Sequence, residues 1–258
     1  MNNKPSFLIL TLGCKLNQLE SESLTDAFLK SGFQLAISSD FSTANSEQLE
    51  ENKPSPSIII INTCTVTSKA DQKARRVIRK ALRDYTDSCV IVTGCYAQLN
   101  RGELIKLNAD IPQRLFVINK EIVLNLPQYL GNSHFSNLTS QLLAFCAHNT
   151  QGSARSLQFA FNPQRFYGHT RSFLKIQDGC DKHCTYCRIR LARGPSVSLD
   201  AGEALARLRL LEENHAEAVL TGVNICQYRG KGLGTGDWGL AELLDYLLSG
   251  TKKIAIRL

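Results

Sequence analysis

Three cysteines, Cys180, Cys184 and Cys187, stand in the stretch GCDKHCTYCRIR (179–190) with the spacing Cys-x3-Cys-x2-Cys. Thiolates this close select soft metals: zinc, copper(I), or the iron of iron–sulfur clusters. A structural zinc site closes its tetrahedron with four protein ligands, and no fourth stands beside these three. A cubane [4Fe-4S] cluster has four irons, so three thiolates leave one iron open to a small molecule. The spacing therefore favours a cluster with an open position over zinc.

A second set is less obvious. Cys14, Cys64 and Cys95 each follow an apolar run that reads as a buried strand: SFLILTLG (6–13), SIIIINT (57–63) and CVIVTG (89–94). In open α/β sheets the crevice outside the carboxyl ends of the strands is where ligands bind, so these cysteines are expected to converge on a second three-thiolate site. Gly13 and Gly94 stand before two of them and let the backbone turn tightly. The competing reading is that they are small buried hydrophobes, the usual lot of an isolated cysteine. Cys89, which begins a strand, and Cys146, in a poorly patterned segment, read as core or incidental thiols, and Cys226 also lacks the strand-end setting.

The elements that must position these residues can be read from periodicity. Besides the three runs above, RLFVIN (114–119) reads as a buried strand, and amphipathic stretches near 17–31, 68–84 and 100–107 read as helices between strands. Strands rich in Ile and Val alternating with helices predict an α/β domain with a doubly wound parallel sheet over residues 1–130. STANSEQLEENKPSPS (42–57) reads as a loop, and residues 131–168 as a linker. From 169, RSFLKIQDGC predicts a strand running into the three-cysteine motif. A helix in SLDAGEALARLRLLEENH, a strand in AEAVLTGVNI, a helix in GLAELLDYLLSG and a strand in KKIAIRL follow. This is the start of a βαβαβ series, the first part of a partial (β/α) barrel over 169–258. It stops mid-element and would expose strand edge, so the sequence is expected to be a fragment.

The chain has 258 residues, nine cysteines and a net charge of +7. Its apolar runs fall short of the roughly 20 residues of a membrane span, and the N-terminus lacks the make-up of a signal peptide. A soluble, cytoplasmic protein without a membrane partner is expected, in which close-set thiols are metal ligands or catalytic groups rather than disulfides. The charge is concentrated. SKADQKARRVIRKALRD (68–84) has seven basic residues against two acidic ones, with Ala70, Ala74, Val77, Ile78, Ala81 and Leu82 as its apolar stripe. Arg75, Arg76, Arg79 and Arg83 are candidate phosphate contacts, which would position a nucleic acid without reading its sequence. A solvated, salt-bridged face is the alternative.

Five ordered blocks, TLGCKLNQLESE (11–22), INTCTVTSKAD (61–71), GCYAQ (94–98), IQDGCDKHCTYC (176–187) and LTGVNI (220–225), together resemble the radical S-adenosylmethionine methylthiotransferases over essentially the whole chain. GCKLNQ is similar to the branch that methylthiolates N6-threonylcarbamoyladenosine in tRNA; the isopentenyladenosine branch tends toward GCQMN and the ribosomal-protein branch toward GCPKN. The resemblance implies two [4Fe-4S] clusters, an auxiliary one on Cys14, Cys64 and Cys95 that carries the methylthio unit, and one on Cys180, Cys184 and Cys187. It implies that the latter cleaves S-adenosylmethionine, with Tyr186 near the adenine moiety, and that the radical formed acts at C2 of the tRNA adenine. It further implies an electron donor such as flavodoxin or ferredoxin.

The match departs from the family after Cys187. Arg193, Gly194 and Pro195 fit, whereas Arg188 and Arg190 replace apolar positions, Val197 and Leu199 replace cationic ones, and Cys226 stands where a small residue is usual. Two rivals remain open at this level: a methylthiotransferase acting on isopentenyladenosine or a ribosomal protein, and a non-catalytic iron–sulfur or zinc RNA-binding protein.

Overall fold

The computed structural model describes residues 4–36, 55–106, 114–131, 137–149, 158–234 and 236–258. They form two compact units, one of residues Met1–Gly13 with Leu24–Ala154 and the other of Cys14–Ser23 with Arg155–Leu258.

In the first unit the four apolar runs become strands β1 (Ser6–Thr11), β3 (Ile58–Thr63), β4 (Cys89–Gly94) and β5 (Leu115–Val117), and a two-residue strand that the sequence pattern does not announce, β2 (Gln34–Leu35), joins them. Helix α1 (Lys15–Lys30) follows β1 and α2 (Ser68–Asp84) follows β3; α3 (Cys95–Leu99) and α4 (Arg101–Lys106) lie between β4 and β5. All pairings are parallel, in the order β2-β1-β3-β4-β5. This doubly wound order reverses direction between β1 and β3, the switch point beside which ligands bind in such sheets. Every residue of β3 and β4 is buried, as expected of strands covered on both faces. On one face Ile59, Ile61, Val90, Val92 and Val117 pack with Ala74, Ile78, Ala81 and Leu82 of α2 and Leu104 of α4. On the other, Phe7 of β1 stacks on Phe28 of α1 at 4.9 Å, and Phe33 meets both rings edge-on. Three further helices complete the unit: α5 (Lys120–Val123), α6 (Leu126–Gly131) and α7 (Leu138–His148). Helix α7 forms within the stretch read as linker. The predicted loop falls outside the described residues over 42–54, as does the linker over 132–136 and 150–157.

The second unit is built on β6 (Ser172–Lys175), β7 (Gln177–Asp178), α8 (Ile189–Arg193), β8 (Val197–Ser198), α9 (Ala201–Glu212) and β9 (Glu217–Thr221). It continues through a 3-10 turn at Ile225–Gln227, β10 (Gly230–Lys231), β11 (Asp237–Trp238), α10 (Leu240–Gly250) and β12 (Ala255–Arg257). Strands β6, β9 and β12 lie side by side in chain order and are parallel, with α9 and α10 as the crossovers, as at the start of a (β/α) barrel. The expected single strand RSFLKIQDGC is divided. Its first half pairs with β9, and after Ile176 the chain pairs β7 antiparallel with β8. Ile176 is the crossing point: its N–H donates to Thr221 O and its carbonyl accepts from Leu199 N.

Candidate functional site

The three-cysteine loop leaves the end of β7 through Gly179. This glycine has φ +70°, and a Cβ there would lie 1.9 Å from the carbonyl oxygen of Pro195, so only glycine lets the chain turn into Cys180. Cys180 N–H donates to Gly194 O, and Cys187 N–H to Cys184 O, which tightens the turn before α8. Cys184 is exposed, Cys180 and Cys187 are half-buried, and none of the nine cysteines is in a disulfide. Tyr186 projects from the loop with 85% of its surface exposed. Among the described residues no three His, Cys, Asp or Glu side chains are gathered as for a single metal ion. The donor set itself suits an iron–sulfur cluster: three unbridged thiols in one short loop, carried at the carboxyl end of a strand and open to solvent on one side.

Both ends of this loop meet a buried charge network that sequence reasoning missed. Asp178 ends β7, Arg193 ends α8, Lys175 ends β6 and Glu20 lies on α1; each is less than a tenth exposed. Lys175 Nζ is 3.0 Å from Asp178 Oδ2, Arg193 Nη1 is 3.2 Å from Asp178 Oδ1, and Arg193 Nη2 is 3.0 Å from Glu20 Oε1. Burial pushes the Lys175 ammonium below the usual lysine range, against the pull of the Asp178 and Glu20 carboxylates. Glu22, also buried, accepts from Tyr167 N at 2.7 Å and Gly168 N at 2.9 Å and lies 2.8 Å from His169 Nδ1. The signal in the sequence is two charges, Lys175 and Asp178, within the stretch read as one strand.

Two of the residues that depart from the family pattern, Leu199 and Arg190, have local contacts that suit them. Leu199 is buried beneath Tyr228, whose hydroxyl donates to its carbonyl at 2.7 Å, which suits an apolar side chain there. Arg190 stands 3.7 Å from Asp181 across the three-cysteine loop. Cys226 is exposed on the 3-10 turn, and its neighbour Gln227 accepts from Asp181 N at 3.3 Å.

In the first unit, Cys64 and Cys95 each stand one residue past neighbouring strand ends, because Thr63 of β3 is paired with Gly94 of β4. Both are 5% exposed. Gly94 has φ +93°, and a Cβ on it would lie 2.4 Å from both Asn62 Oδ1 and Thr63 O, so the turn that presents Cys95 again requires glycine. Thr63 Oγ1 donates to Thr93 O and accepts from Ala97 N, locking the two strand ends to α3. Cys14 stands three residues past β1 and belongs by its contacts to the second unit. It is exposed, and its backbone N–H and its thiol both point to Asn17 Oδ1, at 3.3 and 3.4 Å. Cys89 sits in the core 3.6 Å from Thr139, and burial pushes its thiol up, as it does for Cys146 on α7.

Helix α2 starts four residues after Cys64 behind Thr67, whose hydroxyl accepts from Ala70 N. Arg76, Arg79 and Arg83 are exposed, the last paired with its neighbour Asp84 at 2.8 Å. Arg75 differs: its Nη1 donates to Tyr96 Oη at 2.9 Å, and Tyr96 donates on to Glu103 at 3.0 Å, which ties α2 to the residue after Cys95. The buried stripe also differs from the expected one, since Val77 is only half-buried and an acidic residue joins it. Asp71 is buried and held 2.6 Å from Thr65 Oγ1, whereas Ala70 is only half-buried.

The family described as "Uncharacterized protein family UPF0004" matches residues 6–113. A threonylcarbamoyladenosine tRNA methylthiotransferase MtaB from Treponema pallidum (strain Nichols) is 36% identical over 98% of this chain and 59% of its own length. The protein of that name from Bacillus subtilis (strain 168) is 34% identical over 95% of this chain and 49% of its own. The chain thus spans about half the length of the curated relatives it matches. Among solved structures, the cobalamin-dependent S-adenosylmethionine radical enzyme OxsB superposes with a TM-score of 0.50 at 13% identity, covering 98% of this chain and 38% of that one, a likeness of fold alone. Over the portion it shares with these relatives, the chain is similar to the MtaB-like methylthiotransferases.

Proposed function

We propose that this protein methylthiolates tRNA, adding the group to C2 of N6-threonylcarbamoyladenosine next to the anticodon by radical S-adenosylmethionine chemistry. The observation that carries the reading is the three-cysteine loop at the carboxyl end of β7, in a chain whose relatives are named for this modification. In this reading Cys180, Cys184 and Cys187 hold one [4Fe-4S] cluster and leave an iron for the amino and carboxylate groups of S-adenosylmethionine. Tyr186, exposed on the same loop, flanks its adenine. Cys14, Cys64 and Cys95 hold the auxiliary cluster, a role supported by their following β1, β3 and β4, adjacent strands at the switch point of the sheet. Bound there, the two clusters would supply radical generation and the methylthio unit, and the protein's part is to hold them and to place the adenine.

Arg76, Arg79 and Arg83 are the phosphate contacts of this reading, whereas the Arg75 guanidinium is held by Tyr96. A small electron-transfer protein of the flavodoxin or ferredoxin kind supplies the reductant. The test is nucleoside mass spectrometry of tRNA from cells lacking the gene. The 2-methylthio derivative of N6-threonylcarbamoyladenosine should vanish, and should return with full-length wild type but not with a C180A/C184A/C187A variant. Loss of the isopentenyladenosine derivative instead would overturn the substrate, and unchanged tRNA would overturn the function.

A further inference from the structure

From Asp181 to Tyr186 the three-cysteine loop is exposed. Its entry and exit are held by one buried side chain from each end. At the entry Asp178 Oδ1 accepts from Gly179 N at 2.8 Å, and at the exit Arg193 Nη1 reaches both oxygens of that same carboxylate, at 3.2 and 3.3 Å. Lys175 approaches the carboxylate from β6, donates also to Gln158 O, and lies 5.4 Å from the Phe159 ring centroid and 6.0 Å from that of Phe161. Glu20, on the helix that begins one residue after Cys14, pairs with the other terminal nitrogen of Arg193. Two cations and two anions are thus buried together with no net charge.

A buried ion network is weak evidence for stability, because desolvation cancels most of its Coulombic gain; its attested use is to fix geometry. Arginine suits that use, since its planar fork engages two oxygens in one orientation, whereas lysine offers a point charge. We propose that Asp178 and Arg193, braced by Lys175 and Glu20, are positioning residues that close the two ends of the three-cysteine loop on each other and so set the separation of its thiolates. This rests on reading Cys180, Cys184 and Cys187 as cluster ligands.

The test uses full-length protein reconstituted with iron and sulfide under anaerobic conditions. Two variants are compared with wild type: R193K, which keeps the charge and loses the fork, and E20Q/R193M, which removes one anion and one cation and leaves Lys175 paired with Asp178. Both should keep the iron that survives in a C180A/C184A/C187A variant. They should lose at least half of the iron that this triple variant lacks, and show an altered electron paramagnetic resonance signal with a weaker response to S-adenosylmethionine. Full iron with a wild-type signal and response in both variants overturns the proposal. Wild type with no iron dependent on those cysteines overturns the cluster reading instead. Should both variants unfold, hydrogen exchange in the wild-type apoprotein decides. The Gly179 and Cys180 amides should exchange at least about a hundredfold more slowly than those of residues 182–186, and equal rates would refute the anchoring.

Discussion

Replacing Gly94 by alanine tests whether the turn that presents Cys95 is dictated by backbone geometry. At φ +93° and ψ −168° the residue sits in a region open essentially to glycine alone, where strain costs about 1–3 kcal/mol. The added Cβ would also lie 2.4 Å from Asn62 Oδ1, 2.4 Å from Thr63 O and 2.6 Å from Thr63 N. Two of these are backbone atoms of the adjoining strand. Relief therefore requires β3 and β4 to part at the Thr63–Gly94 pair, forfeiting roughly 1 kcal/mol for a ladder hydrogen bond. The sum is about 2–4 kcal/mol, which for a unit of this size lowers the melting temperature by roughly 5–15 °C. Gly102→Ala is the matched control: on α4, with nothing within 4 Å of the new Cβ, it should leave stability unchanged or raise it by up to about 1 kcal/mol. Thermal unfolding followed by circular dichroism reads both. Because Cys64 and Cys95 directly follow the displaced pair, Gly94→Ala should also reduce the iron content that the proposed auxiliary site on Cys14, Cys64 and Cys95 would contribute. If it melts within about 2 °C of Gly102→Ala, the steric argument is wrong.

Two further outcomes follow from other parts of the molecule. Changing Arg76, Arg79 and Arg83 together to glutamine should weaken tRNA binding. Each phosphate interaction removed should flatten the log–log salt dependence by roughly 0.7–0.9, read by filter binding; an unchanged slope would make this a solvated face. The Tyr228 phenol, fully buried, is pushed up to about 12 by burial and then by the Asp200 carboxylate. The unfolded chain therefore loses this proton first, so its contribution is intact below pH 10 and is lost as pH rises toward 12. Urea unfolding should show a drop of up to about 3 kcal/mol over that window, absent in Tyr228→Phe.

What the sequence reveals of this fold depends on how local the information is. The run Ile58–Thr63 is wholly buried, and no reading of it other than a covered strand suits its composition, so the parallel sheet was legible. Helix α2 announced itself through its period, apart from Asp71, whose burial depends on Thr65 across a turn. Helix α7 was illegible because only Leu142 and Phe145 are buried on it, too few to make a stripe. The break between β6 and β7 could not be seen either, since Ile176 changes partners without any local signal of glycine or proline. The cysteines were visible by type and spacing. Their supports were not: Glu20 and Arg193 are far apart in the chain, and a buried charge reads as a surface one until its partner is known.

In the proposed reading Cys180, Cys184 and Cys187 hold a cluster with an iron free for S-adenosylmethionine. The most direct measurement is electron paramagnetic resonance of full-length protein, reconstituted and reduced without oxygen, before and after adding S-adenosylmethionine, alongside metal analysis. Two cubane clusters predict about eight irons per chain and a signal that changes on addition, with about four irons and no change in the C180A/C184A/C187A variant. Zinc in place of iron, or a response to S-adenosylmethionine that persists in that variant, would contradict the account.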